Sequence, residues 1–439
     1  MKRFIAFVIF AACIFPVIGE ADDIVQKGEV LNMQRVAEIA IMRHPAVSAA
    51  KNTASAAESI IGQSLANYYP QITWTSGYSR ISPIAVTTVS SAGILTSVGS
   101  SVTTGAFDQW THSASLTQNI YDFGRTSNQV KVSRLNFDSS RSDLENVVEQ
   151  VVQSVKQAYF ALLQAKRNRD VSADTVKQFE QHLEQAKGFF EVGTKPRFDV
   201  IKAEVDLSNA KLNLIKAENA VKIAVVNLNN AMGVPDVQEY TIEDNLSFRK
   251  YEITMDNALT RAFENRPDLL SVVAKKQSAE TSINVARANY YPFLTGNAAY
   301  DWAGSRIDGL DHGWNVGATL TFPVFSGFLT KYQVEQARSN LNVLKANEES
   351  IRQTIILDVQ QAYLNLKQAE ESIPTAELGV KQAQENMDIS NGRYAAGVGN
   401  PIEVTDAEVS LVNAKTSYIQ ALYDYKVAQA NLEKAMGMR

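Results

Sequence analysis

Two periodicities divide the chain. Val148, Val151, Val152, Val155, Tyr159 and Leu162 recur at the spacing of one helical face. They lie within about 128–192, which predicts one helix of roughly 60 residues, about 90 Å long at 1.5 Å per residue. A second long helix is predicted over about 330–395, with Pro374 inside it as an expected kink. Shorter helices are expected over about 32–69, interrupted near Pro45, and over about 254–291, with Pro267. Two more, about 198–232 and 402–436, stop at Gly233 and Gly437, as helix C-termini often do. One long helix matches two shorter ones placed end to end, so the short pair is expected to stack against it as a pseudo-continuous partner.

Between the helices the period changes to two. Ile72, Trp74 and Tyr78 alternate with Gln71, Thr73, Thr75 and Gly77. Trp314, Val316, Ala318, Leu320 and Phe322 alternate with Asn315, Gly317, Thr319 and Thr321. Leu294, Ala298, Tyr300 and Trp302 repeat the pattern more weakly, as do Leu116 and Ile120. These are strands with one apolar and one polar face. Trp74, Trp110, Trp302 and Trp314 all fall in or beside them. That placement suits ordinary sheet core, and it suits the interfacial belt of a membrane barrel. Four strands cannot close a barrel, which needs about eight, so other copies of the chain must pair the open edges.

The chain is a duplication. Ala66-Asn67-Tyr68-Tyr69-Pro70 returns as Ala288-Asn289-Tyr290-Tyr291-Pro292, at an offset of 292 − 70 = 222. Gln157-Ala158-Tyr159 returns as Gln361-Ala362-Tyr363, at an offset of 363 − 159 = 204. The difference, 222 − 204 = 18, is an insertion in the first half, placed on the Ser-, Thr- and Gly-rich loop 79–111. The expected organisation is a leader over 1–21, a first repeat over 22–233, a connection over 234–252 and a second repeat over 253–437. The two repeats are read as one structural unit.

Composition narrows the class. Lys2 and Arg3 precede the uncharged apolar run 4–18, a secretory leader with Val17-Ile18-Gly19 or Gly19-Glu20-Ala21 as its cleavage site. Cys13, the only cysteine, excludes an intrachain disulfide and leaves lipid attachment as a second reading. Beyond the leader there is no long apolar run, and mean hydropathy is −0.16. A membrane segment would therefore have to be barrel strands, because only helices and closed barrels satisfy the backbone in lipid. A net charge of −5 argues against nucleic acid as a partner.

No catalytic constellation appears. The segment 188–195 has the wrong order for a phosphate loop. His44, His112, His182 and His312 lack metal-ligand spacing, and no Gly-x-Ser-x-Gly elbow occurs. Neither an enzyme, a metal nor a cofactor is expected. The turns Gly193-Thr194-Lys195 and Gly397-Val398-Gly399 carry turn chemistry at the end remote from the strands, and read either as docking tips or as plain helix connections. Glu403 and Asp406, three residues apart, share a helical face. Asp199 opens the equivalent helix of the first repeat, where an acid also favours the helix dipole.

The duplication, the Tyr-Tyr-Pro exits into strands, and the turns 193–200 and 397–404 together make this chain resemble the outer membrane efflux protein family, the TolC-like channel-tunnels. The resemblance implies a mainly α fold with a small β component. Long antiparallel helices would form an α-barrel tunnel in the periplasm. Three chains would share a twelve-stranded barrel in outer-membrane lipid. It implies a homotrimer serving a tripartite efflux pump or type I secretion, with a periplasmic adaptor and an inner-membrane transporter as partners. By that resemblance Asp199, Glu403 and Asp406 form an acidic constriction at a closed tip, and Tyr394 locks it. Where some members carry an arginine beside the second turn, this chain has Gly399, leaving Lys195 or Arg197 as substitutes. The alternative class is a secreted or periplasmic coiled-coil scaffold or adhesin, which would lack a barrel sheet.

Overall fold

The computed structural model describes residues 28–82, 106–235 and 239–438. The leader with Cys13 and most of the inserted loop lie outside the described residues. The element order repeats: α1 (Met33–Arg43), α2 (Pro45–Leu65), β2 (Gln71–Ile81), β3 (Phe107–Tyr121), α3 (Arg125–Glu191) and α4 (Arg197–Met232) are matched by α5 (Met255–Asn265), α6 (Pro267–Ala288), β5 (Phe293–Gly304), β6 (Asp311–Thr321), α7 (Leu329–Ala395) and α8 (Pro401–Ala435). Two short strands, β1 (Val30–Leu31) and β4 (Thr241–Ile242), and a 3-10 turn over Ala66–Tyr68 complete the set. Helix dominates, as the periodicity predicts. By contacts the chain forms two units, one built on 154–248 and 373–426, the other on 45–153 and 249–372. Each unit draws on both repeats.

The helix boundaries have local causes. Asn32 and Thr254 cap α1 and α5, accepting hydrogen bonds from the amides of Arg35 and Asn257. Both helices end where a proline follows. His44 and Arg266 are driven to extended ψ of 126° and 120° by Pro45 and Pro267, and each proline then starts the next helix. The first predicted helix is thus two helices. Helices α3 and α7 run 67 residues each. Helix α7 continues unbroken through Pro374. The stripe from Val148 to Leu162 is buried throughout.

Gly233 and Gly437 close α4 and α8 in the left-handed region, with φ of 74° and 69°. A Cβ on Gly233 would lie 2.6 Å from the His44 Cα, and one on Gly437 2.8 Å from the Arg266 nitrogen. The end of α4 therefore packs against the backbone of His44, and the end of α8 against that of Arg266.

The connection between repeats is more ordered than its sequence suggests. Strand β4 pairs in parallel with β1. Tyr159 on α3 donates to the Glu243 carbonyl at 2.6 Å, and Arg167 grips the Asp244 carboxylate at 2.9 and 3.0 Å. Burial pushes the Tyr159 phenol up to about 12, so it stays a donor across the physiological range.

The remaining strands form an antiparallel sheet ordered β2-β3-β5-β6, leaving β2 and β6 at the edges. Direct cross-strand partners share a face, so the register sorts the residues. Trp74, Ala114, Tyr300 and Trp314 form one row; Ser76, His112, Trp302 and His312 form the next; Tyr78 and Trp110 follow. All four tryptophans therefore stand on one face, towards the loop end. Ile72, Leu116, Ala298 and Val316 continue that face towards the helices. The opposite face carries Thr73, Ser115, Ala299 and Asn315. The apolar face is open: Ile72 is 75% exposed, and Trp314 and Val316 are 73% exposed. A coiled-coil scaffold offers no place for such a sheet.

At the helix end of the sheet a second aromatic group appears that the strand reading missed. Phe123 stacks on Tyr291 at 5.2 Å and meets Tyr121 at 4.8 Å; Phe325 meets Phe328 at 5.6 Å. Phe123 and Phe328 hold positive φ of 51° and 67°, rare for bulky residues, at the corners leading into α3 and α7. Asp122 holds the first corner by accepting from the Thr126 amide at 2.8 Å and the Asn119 amide at 2.9 Å.

Candidate functional site at the paired helical turns

The turn 192–196 joins α3 to α4, and the turn 396–400 joins α7 to α8. Both follow one design. Gly193 and Gly397 take φ of 76° and 79°. The Gly193 amide donates to the Phe190 carbonyl and the Thr194 amide to that of Phe189; the Gly397 amide donates to Tyr394 and the Val398 amide to Arg393. These paired bonds satisfy the carbonyls that a helix end leaves open. Proline then restarts each helix, with Pro196 capping α4 and Pro401 opening α8.

One side chain bridges the turns. The Lys195 ammonium donates to the Gly399 carbonyl at 3.1 Å and sits 5.4 Å from the centre of the Tyr394 ring. Arg197, the other candidate substitute, is exposed at the start of α4. Gly399 is held by its own amide, which donates to the Arg393 carbonyl at 2.9 Å. A Cβ at this position would lie 2.7 Å from the Tyr394 nitrogen. The backbone here leaves no room for a side chain such as the arginine that some members of the resembled family carry beside this turn.

Behind the turns Tyr394 is fully buried, packed with Met387, Val404, Ala407 and Leu411. The Phe189 and His182 rings lie 5.7 and 5.0 Å from its own. Its hydroxyl reaches the Asp199 carboxylate at 3.5 Å. Burial, and then the Asp199 charge, push the phenol up to about 12, so Tyr394 is the donor at any working pH. Two turns further along α4, Asp206 accepts from Lys202 at 2.7 Å and from the Thr405 hydroxyl at 2.9 Å, tying α4 to α8.

The four expected gate residues separate into two groups. Asp199 and Tyr394 come together inside the helical pack, where Asp199 is 4% exposed. Glu403 and Asp406 stand on the exposed surface of α8, with Glu403 3.3 Å from Arg393. Within the chain, Asp199 is thus buried while Glu403 and Asp406 are exposed. Sequence reasoning did not single out Glu408, which is buried beside this cluster; its spacing from Val404 and Leu411 on one helical face was the available signal. Among the described residues, no group of three or more metal-ligating side chains occurs, and no helix is long and apolar enough to cross a membrane.

A family model described as outer membrane efflux protein matches residues 36–234 and 258–438. The outer membrane protein TolC of Escherichia coli K12 is 26% identical over 350 residues, covering 74% of this chain and 69% of that protein. The probable outer membrane lipoprotein SilC of Salmonella typhimurium is 23% identical over 336 residues, covering 72% and 69%. Among solved structures, CusC superposes with a TM-score of 0.80 at 16% identity, over 94% of this chain and 95% of that one. The Campylobacter jejuni CmeC outer membrane channel gives a TM-score of 0.77 at 18% identity, over 92% and 85%.

Proposed function

The chain belongs to the outer membrane efflux protein family, and from that premise we propose a specific assembly and gate for it. As a member it is an outer-membrane channel-tunnel that passes substrates outward, a transport protein rather than an enzyme. We infer that three copies close one barrel of 3 × 4 = 12 strands, and that the first repeat, connection and second repeat keep the boundaries 22–233, 234–252 and 253–437. The observation that carries the trimer is the sheet. It has one continuous apolar face and two edge strands, and each unpaired backbone group costs several kcal/mol in lipid. The tryptophan rows then lie at the outer interface, and the cluster around Phe123 at the periplasmic one. Chemical cross-linking in native membranes should stop at three subunits; a folded, detergent-purified monomer would contradict the assembly.

The paired turns are the proposed adaptor-docking tips, with Gly193, Thr194, Lys195, Gly397, Val398 and Gly399 at their surface. An inner-membrane transporter completes the pump. The gate divides the work between two groups. Asp199, Tyr394 and Lys195 latch the helices of one chain together. Glu403 and Asp406 face the pore, so that three copies set six carboxylates around the axis and favour cations. In planar bilayers, the E403Q/D406N variant should lose most of its cation selectivity and its block by divalent cations, whereas D199N should keep both. Unchanged selectivity in the double variant would place the constriction elsewhere.

A further inference from the structure

The tip encloses two titratable groups that the latch does not use. His182 on α3 is 7% exposed, and its Nδ1 has no hydrogen-bond partner. Glu408 on α8 is 2% exposed. Both line one cavity of about 230 Å³ between α3, α7 and α8, next to Tyr394. Otherwise the cavity is lined mainly by neutral amides, among them Gln178, whose amide faces both Glu408 oxygens: its oxygen suits the protonated acid, and turned over its nitrogen donates to the carboxylate.

The surrounding charges are few, and each element contributes. Helix α4 brings Asp199, Asp206 and Lys202, the last two paired with each other. Helix α7 brings Tyr394 and the outward Asp388, α8 brings Lys415, and the first turn brings Lys195. Burial outweighs the pull of Asp206 and Asp199 on His182 and holds its imidazole below the ordinary 6.5. Burial also outweighs Lys415 and pushes the Glu408 carboxyl from 4.5 up to about 7. Below about pH 7 burial thus favours the protonated, uncharged Glu408, as it favours the neutral imidazole of His182.

We propose that His182 and Glu408 form a compensated proton site behind the tip, in which opening the tip releases a proton from Glu408 to water and lets His182 take one up. The inference rests on the reading of the turns as a gate. The signs oppose each other. Glu408 stabilises closure fully below its ordinary 4.5, and that stabilisation is lost as pH rises through about 7. His182 stabilises closure above its ordinary 6.5 and loses this as pH falls below it. In the weakly acidic range the two slopes cancel, and closure becomes nearly independent of pH. A tunnel closing off a compartment that acidifies with its surroundings gains from such insensitivity.

The test is amide hydrogen exchange of the two turns in the purified trimer, corrected for intrinsic rates, between about pH 5 and 7.5. In H182Q the opening constant should rise with pH, by up to about tenfold per unit, as Glu408 acts alone. In E408Q it should rise as pH falls below 6.5, by up to the same factor. The wild type should be flatter than either, and the H182Q/E408Q double variant flat. H182N and E408M supply a second pair should the first not assemble. Slopes of the same sign in both single variants, or both parallel to wild type, would overturn the proton site. Conductance recorded on the same variants separates the two ideas: opposed exchange slopes with unchanged conductance would keep the proton site and sink the gate.

Discussion

Ala318→Arg should abolish trimer assembly in the outer membrane, while Asn315→Arg, three residues away, should leave it intact. Ala318 pairs with Gly296 on the apolar face of the sheet, and Asn315 with Ala299 on the polar face. Along β6 and its exit, the apolar face runs Trp314, Val316, Ala318, Leu320, Phe322, so Ala318 is midway between the tryptophan rows and the aromatic cluster at the helix end. An arginine facing lipid costs about 2–4 kcal/mol at the midplane and about 0–1 near the interfaces. Three copies in one barrel multiply that to roughly 6–12 kcal/mol, comparable to the whole stability of many domains. Val316→Arg and Leu320→Arg should be intermediate, each being one row closer to an interface. The measurement is the yield of heat-modifiable trimer in purified outer membranes. Equal yields across the four variants would show that this face does not meet lipid.

Periodicities and repeats are local signals. The 3.6-residue stripe of α3, the alternation in β5 and β6, and the Tyr-Tyr-Pro string that reappears 222 residues later need no knowledge of partners. The strands and their two faces follow from them, but the register that gathers all four tryptophans onto one face does not. What stays hidden depends on residues distant in sequence. The pairing of Val30-Leu31 with Thr241-Ile242 is too short to carry a period. The reach of Lys195 to Gly399, 204 positions away, is a property of two turns meeting. Asp199 reads as a helix-start acid on either account, and only packing decides that it faces Tyr394 rather than the surface shared by Glu403 and Asp406. Glu408 reads as another solvated charge on a helix rich in them, until the helices close around it.

Gly399→Arg should open the tip rather than strengthen it, although the family resemblance puts an arginine beside this turn in some members. The obstacle comes before the guanidinium. A Cβ on residue 399 would meet the Tyr394 nitrogen at 2.7 Å, the Arg393 carbonyl carbon at 2.9 Å and the Tyr394 Cα at 3.0 Å. All three are backbone atoms, so no side-chain rotation relieves the contact. The turn must move away from the end of α7. That movement breaks the bond from the Gly399 amide to the Arg393 carbonyl and withdraws the Gly399 carbonyl from Lys195. Overpacking of this kind costs about 1–3 kcal/mol, which raises the open fraction of one tip roughly five- to 150-fold. Because the clash begins at Cβ, Gly399→Ala should reproduce most of the effect without adding charge. Lys195→Met, which removes the bridge and leaves the backbone alone, should open the tip less than either. The readouts are conductance of the trimer in planar bilayers and hydrogen exchange across the second turn. A Gly399→Ala channel as tightly closed as the wild type would mean that the turn has slack, and that Lys195 rather than the glycine holds the two tips together.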